Sequence, residues 1–275
     1  MNAIISGEKL QLLSEVGFCG EFDDIKNNQL KQIKHNVHLI ESFLPDNIRQ
    51  YKTIFIYTDF TKQFFEKFED HLSKDTIIIT HNSDGCVDEN YLKYINNTNI
   101  KKWFCQNRLI SHPKLISLPI GIANSQWPHG DQELLIKIRA QENKKNNLVY
   151  KNFDIGTNFN ERTYCNQVTH DNGIIMSGKC SQEKYLENIS KAAFIISPPG
   201  NGLDCHRIWE SLFLRTVPVV KYHEGFSQFK HLPILFVDKW EDVTIQFLRD
   251  KVSSYNIDWD IPELTMAYWK KQLDI

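Results

Sequence analysis

A chain of 275 residues with 41% hydrophobic, 24% charged and 12% aromatic side chains suits one large domain or two small ones built on a substantial core. Its 32 Lys and Arg against 34 Asp and Glu give a formal net charge of -2, and no long basic tract is present, which argues against nucleic acid or an anionic membrane as the main partner. No apolar run reaches bilayer length, and "MNAIISGEKLQLLSEVGFCG" lacks the basic start and apolar centre of a signal peptide. The expectation is a soluble cytoplasmic chain with no membrane span, in the host cytoplasm if the source is viral. Six cysteines (19, 86, 105, 165, 180 and 205) form no CxxC pair and read as free thiols rather than a zinc site. The sequons at Asn96 and Asn188 would be silent in that compartment.

In chain order, short apolar runs alternate with amphipathic stretches. The pattern predicts strands over 52–58, 75–80 and 101–107, with helices over 61–72 and 89–97 between them. A fourth strand-like run, 114–122, is interrupted by Pro119, which suits a sheet edge or a strand end. A helix over 129–147 runs into a lysine- and asparagine-rich tail, the natural linker between two halves. The alternation then restarts with strand 147–153, helix 161–171, strand 173–178, helix 181–192 and strand 193–197. A helix starting near Asp204, strands 217–221 and 233–238, helix 240–255 and a closing helix 262–273 complete the series. Such alternation favours mainly parallel sheets covered by helices, hence two α/β units. In open parallel sheets ligands bind beyond the carboxyl ends of the strands, so two units facing each other would form a cleft lined by strand-to-helix loops.

The stretch "SPPGNGLDCHRIWESLFLRTVPVVK", 197–221, places Pro199, Gly200, Asn201 and Gly202 ahead of a helix start at Asp204. Asp is a favoured N-cap, and the free amides of a helix start form an anion site, strongest for phosphate. Gly200 and Gly202 let the backbone approach a ligand closely. Arg207 and Glu210 are three residues apart and share a helix face. Arg207 can place a bidentate charge on a phosphate, and Glu210 can accept two hydrogen bonds from a vicinal diol. An anion at the cap and a diol one turn along describe a nucleoside diphosphate and its ribose. The competing account is a capped helix in which Arg207 and Glu210 pair with each other. Cys205 stands where the third glycine of a dinucleotide fingerprint belongs, so no redox cofactor follows.

The run S-P-P-G-N-G-x-D-x-x-R-x-W-E-x-L followed by P-V-V, residues 197–220, resembles the donor-binding motif of exostosin-like glycosyltransferases, including the small soluble viral and bacterial forms; the likeness spans 147–240 best. The resemblance implies a GT-B fold: two Rossmann-like domains with mainly parallel sheets facing across a cleft. On that basis 1–130 would be the acceptor-side domain and 131–260 the nucleotide-sugar domain, with 261–275 a helix crossing back to the first. It also implies that Arg207 contacts the diphosphate and Glu210 the ribose, with Gly200 and Gly202 near the donor. Two departures stand out. Arg215 occupies the place where such sequences end the helix with glycine, and the membrane anchor of animal exostosins is absent.

In the loop after strand 147–153, Lys151, Thr157 and Asn158 join the donor-binding set, and Arg162 opens the next helix. A departing diphosphate carries growing negative charge, which Arg162 and Arg207 would stabilise, with Lys151 a weaker third. The only DxD, Asp258-Trp259-Asp260, falls near the C-terminus outside any strand-loop context, so no metal and no cofactor beyond the donor sugar are expected. Strand 75–80 runs into "HNSDGCVD", where Asp84 is the first choice for the base that inverting transfer needs, ahead of His81 and Asp88. The competing account of this loop is an ordinary turn. Asp59, His81 and Trp127 are the candidate acceptor contacts, with Asn124 and His129 nearby in sequence.

The reading is therefore an inverting, metal-independent transferase that moves a sugar from a UDP-linked donor to a glycan hydroxyl. The alternatives are a GDP-linked donor and a nucleotide-sugar-binding module without transfer. A Cys205–His206 hydrolase is disfavoured because adjacent helical residues point about 100° apart.

Overall fold

The computed structural model describes residues 3–20, 37–254 and 257–274. They form two parallel sheets, one of six strands and one of four. The first contains β1 (Val16–Cys19), β2 (Val37–Leu39), β3 (Thr53–Tyr57), β4 (Thr76–His81), β5 (Ile100–Cys105) and β6 (Leu115–Ser117), in the spatial order β2-β1-β3-β4-β5-β6. The second contains β7 (Asn147–Tyr150), β8 (Ala192–Ile196), β9 (Val217–Lys221) and β10 (Leu235–Val237), in the order β10-β9-β8-β7. Every strand pair is parallel, with Tyr57 opposite His81 at the carboxyl end of β3 and β4.

Burial on both faces explains why these strands read as continuous apolar runs: every residue of β4 is buried. On one face, helix α2 (Thr61–Phe68), which follows α1 (Gly7–Leu13), lowers Phe64, Phe65 and Phe68 into the core. There Phe65 stacks on Tyr94 of the short helix α3 (Leu92–Ile95), with ring centroids 4.5 Å apart. The remaining helices are α4 (Gln132–Ala140), α5 (Phe159–Asp171), α6 (Gln182–Ser190), α7 (His206–Phe213), α8 (Ile245–Ser254) and α9 (Met266–Gln272). None of the described helices is long and apolar enough to cross a membrane.

The two sheets share a core. Phe55, Ile79, Phe104 and Leu118 from the first meet Ile208, Trp209, Phe226 and Phe229 from the second in one cluster, which also holds Leu264 and Trp269 near the C-terminus. Trp209 is wholly buried against Phe229, and truncating such a side chain costs about 3–5 kcal/mol. Polar bonds reinforce the seam. The Gln228 side chain accepts from Ser117 N at 2.8 Å and donates to Leu115 O at 3.1 Å, covering the free edge of β6 as another strand would. Arg108, 1% exposed, donates to Ser117 Oγ, Ile110 O, Glu224 O and Ser227 Oγ. At the C-terminus, Ile5 N donates to Leu264 O and Met266 N to Ala3 O, and α9 lies against α1.

Several elements differ from expectation. The run 173–178 is not a strand; only Ser177 N reaches β7's extension, at Lys151 O, and no ladder follows. β6 stops at Ser117, two residues before Pro119, as the missing N–H requires. The 89–97 helix is a 3-10 turn, Glu89–Tyr91, leading into α3. α1 and β1 lie in a region where no element was anticipated. The lysine-rich tail after α4 is pinned: Lys145 Nζ donates to Ser190 O, Leu214 O and Thr216 Oγ1, capping the ends of α6 and α7. The last residue of the expected 240–255 helix lies outside the described residues.

Candidate active site

The carboxyl ends of both sheets point to one region, and the first turn of α7 stands in its middle. On one side of that turn two arginines converge. Arg162, on α5, donates from Nε to Pro199 O at 2.9 Å and from Nη1 to Asp154 O at 2.6 Å. Its guanidinium lies 5.7 Å from the Phe153 ring centroid, and that of Arg207 lies 5.9 Å from the same centroid. Arg207 is half-buried; its Nη1 reaches only Cys205 Sγ, at 3.9 Å, and its Nε is buried with no partner. Burial and the neighbouring Arg207 charge hold the Arg162 pKa below its usual range. Among the described residues neither guanidinium has a carboxylate at ion-pair distance.

Glu210 and Arg207 share the face of α7, and Tyr185 of α6 lies close enough to feel both charges. Glu210 is 5% exposed, and burial pushes its pKa up to about 7 against the opposing pull of Arg207. Asn158 Nδ2 donates to Gly200 O at 2.9 Å, which fixes the 197–202 loop beside α5. A Cβ at Gly200 would stand 3.1 Å from Arg162 Nη2, so glycine keeps that approach open. Thr157 and Asn201 are exposed at the rim, and Pro199 contributes the carbonyl that Arg162 holds.

Two expected donor contacts face elsewhere. Lys151 is 1% exposed and turns its amine into α5, donating to Asn166 O and Thr169 Oγ1, so it is a structural residue behind the site. Asp204 does not cap α7. The helix begins at His206 behind Cys205, whose side chain makes no capping bond. The Asp204 carboxylate instead accepts from Ile120 N at 2.7 Å, Cys205 N at 2.8 Å and Trp209 Nε1 at 2.8 Å. All its acceptor capacity is spent inside the protein, and burial raises its pKa to about 7 in spite of those bonds. Gly202 is buried against Asn107, which accepts from Asp204 N at 3.0 Å and donates to Asp84 O at 3.3 Å.

On the other side of the same turn, a cavity of about 200 Å³ is walled by Asn82, Asp84, Gln106, Trp127 and His206, among others. Asp84 is exposed on its rim. Asp59 lies beside Asp84 without lining the cavity; burial and the Asp84 charge raise its pKa against the opposing pull of the nearby Gly85 N–H and Ser83 hydroxyl. His81 lines the wall but has no free nitrogen. Its Nε2 donates to Pro119 O at 3.1 Å and its Nδ1 accepts from Asn82 N at 2.8 Å, which removes it as base or hydrogen-bonding contact. Asp88 is held in its own loop by Asn90. Trp127 is 41% exposed, and its ring is near-parallel to that of His129.

Three residues went unassigned in the sequence. Tyr185 lies beside Arg207 and Glu210 from α6, and Gln106, the residue after β5, lines the cavity. His206 presents Nδ1–H to Gly121 O at 2.8 Å, which leaves Nε2 unprotonated; burial drives its pKa to about 4. Asp258, one half of the DxD, accepts from Asp260 N in a local turn. Compared with known proteins, the chain matches no family model and no curated protein.

Proposed function

We propose that the protein is an inverting, metal-independent glycosyltransferase of GT-B type, moving a sugar from a nucleoside-diphosphate donor, UDP-linked in preference to GDP-linked, to a hydroxyl of a glycan. The observation that carries this reading is the pair of guanidinium groups over Phe153 with, among the described residues, no carboxylate at ion-pair distance from either. Like charges held together and partly out of water raise the free energy of an empty site, and a pyrophosphate would reverse that cost. Glu210, one turn along α7, suits the ribose diol. The likeness of 197–220 to exostosin-like enzymes points the same way.

The chemistry then runs across the first turn of α7. Asp84 takes the proton of the acceptor hydroxyl as its oxygen bonds to the anomeric carbon. The bond from that carbon to the phosphate oxygen breaks, and its electron pair leaves with the diphosphate. Arg162 and Arg207 stabilise the charge that develops there, the role a divalent ion fills in other transferases. Calorimetric titration with UDP and GDP in excess chelator tests the donor half. We expect binding that survives the chelator and weakens at least ~10-fold in Arg207→Ala, about 1.4 kcal/mol. Failure of both nucleotides to bind would overturn the reading.

A further inference from the structure

The geometry points to the cavity beside His206 as a subsite for a single uncharged pyranose ring, with Trp127 as its stacking platform and Gln106 as the residue that reads a ring hydroxyl. Calling that ring the acceptor rests on the transferase reading; its binding does not.

Three observations converge on this occupant. The first is an unmet hydrogen bond. Gln106 is 1% exposed, lines the cavity, and its Oε1 has no partner. A buried acceptor left unpaired costs about 1–3 kcal/mol, which turning the amide so that its oxygen meets a ligand hydroxyl in the cavity would relieve. The second is apolar surface: Trp127, 41% exposed, lines the same cavity. An aromatic ring among polar groups matches a sugar ring, whose C–H face is apolar and whose edge is hydroxylated. The third is size. About 200 Å³ lies below the ~300 Å³ at which pockets for drug-sized ligands begin, and it suits one ring rather than a chain.

Charge then selects among sugars. Among the described residues no lysine or arginine lines the cavity. His81 has both nitrogens committed within the protein, and His206 is neutral at pH 7 because burial opposes its protonation. Among the described residues the one full charge on the wall is the Asp84 carboxylate, with Asp59 beside it. A uronic acid, a sialic acid or a phosphorylated sugar would meet repulsion with no cation to offset it.

The test is direct binding of methyl glycosides to the full chain without donor. Saturation-transfer NMR and tryptophan fluorescence would compare methyl glucoside, galactoside and mannoside with methyl glucuronide. We expect at least one neutral glycoside to bind, the glucuronide to be silent, and Trp127→Ala to abolish the signal. Gln106→Leu should weaken binding about tenfold, as expected where a buried polar group loses its partner. Because Trp127 is largely at the surface, its variant folds even if the Gln106 variant does not. Binding of the glucuronide as well as the neutral sugars, neutral binding unchanged in Trp127→Ala, or no neutral binding at all would each overturn the inference. Nucleotide titration of the same sample separates the two readings. Sugar binding without UDP or GDP binding sinks the transferase and leaves the subsite, and the reverse sinks the subsite alone.

Discussion

Ile120 N donates to Asp204 Oδ2 at 2.7 Å, so the loop that ends the six-stranded sheet is tied to the turn that opens α7 through one carboxylate. Asn107 ties the same turn to the Asp84 loop. The proposed donor side and the proposed acceptor side are thus set relative to each other by short polar bonds as well as by the shared core.

The two arginines should separate stability from binding. Arg162 anchors two loop carbonyls, so Arg162→Ala should lower unfolding free energy by about 1–2 kcal/mol. Arg207 anchors no carbonyl; its removal relieves repulsion with Arg162 and forfeits attraction to Glu210, two effects of opposite sign. Arg207→Ala should therefore stay within about 0.5 kcal/mol of the parent, while losing any nucleotide-induced rise in Tm. Denaturant unfolding and thermal shift read the two effects separately.

Replacing the proposed base should spare the donor. Asp84→Asn is expected to bind UDP as the parent does and to lose transfer by about 10²–10⁴-fold, the range for loss of general-base assistance. A product assay beside a nucleotide titration checks it. A fall in nucleotide affinity of the same size would move Asp84 out of that role.

Buried carboxyls give stability a pH dependence with a definite sign. Burial raises Glu210 from its ordinary 4.5 to about 7, so the folded protein holds a proton there that the unfolded chain releases. Its contribution is complete below pH 4.5 and is lost as pH rises through 7. Burial acts the other way on His206 and His223, both pushed to about 4, and their slope opposes that of Glu210 between pH 4 and 6.5. The Glu210 share is therefore read as a difference. Relative to the parent, Glu210→Gln should gain roughly 2–3 kcal/mol between pH 5 and pH 8 by denaturant unfolding.

Two positions with positive φ should respond in opposite directions. Gly121 has φ +69, and a Cβ there would stand 2.3 Å from Ile5 O, a backbone atom that cannot give way cheaply. Gly121→Ala should cost at least ~2 kcal/mol. Arg215 follows α7 at φ +58, a conformation in which a side chain is strained and glycine is not. Arg215→Gly should raise unfolding free energy by about 1 kcal/mol. Equilibrium unfolding of both variants is the measurement.

Much of the architecture was legible because fully buried parallel strands announce themselves as apolar runs: 52–58 and 75–80 correspond to β3 and β4. The run 173–178 is also rich in Ile and Met but forms no ladder, and composition alone does not report pairing. At the site, Arg162, Arg207 and Glu210 are brought together by neighbouring strand-loop-helix units, a placement that spacing can express. Lys151 and Asp204 also sit at strand and helix ends, yet their side chains turn inward to Thr169 and to Ile120 and Trp209. Those partners are set by tertiary packing. Gln106 and Tyr185 carry no local signature, and their roles arise only where distant segments meet.

The cluster joining Phe104 and Phe229 with Trp209 has a mechanical corollary. A wide rocking of one sheet against the other would have to part these aromatic rings and expose them to water, so binding of the proposed donor leaves the two sheets where they are. Small-angle scattering curves of the free and nucleotide-saturated protein should accordingly superimpose, with no change in radius of gyration.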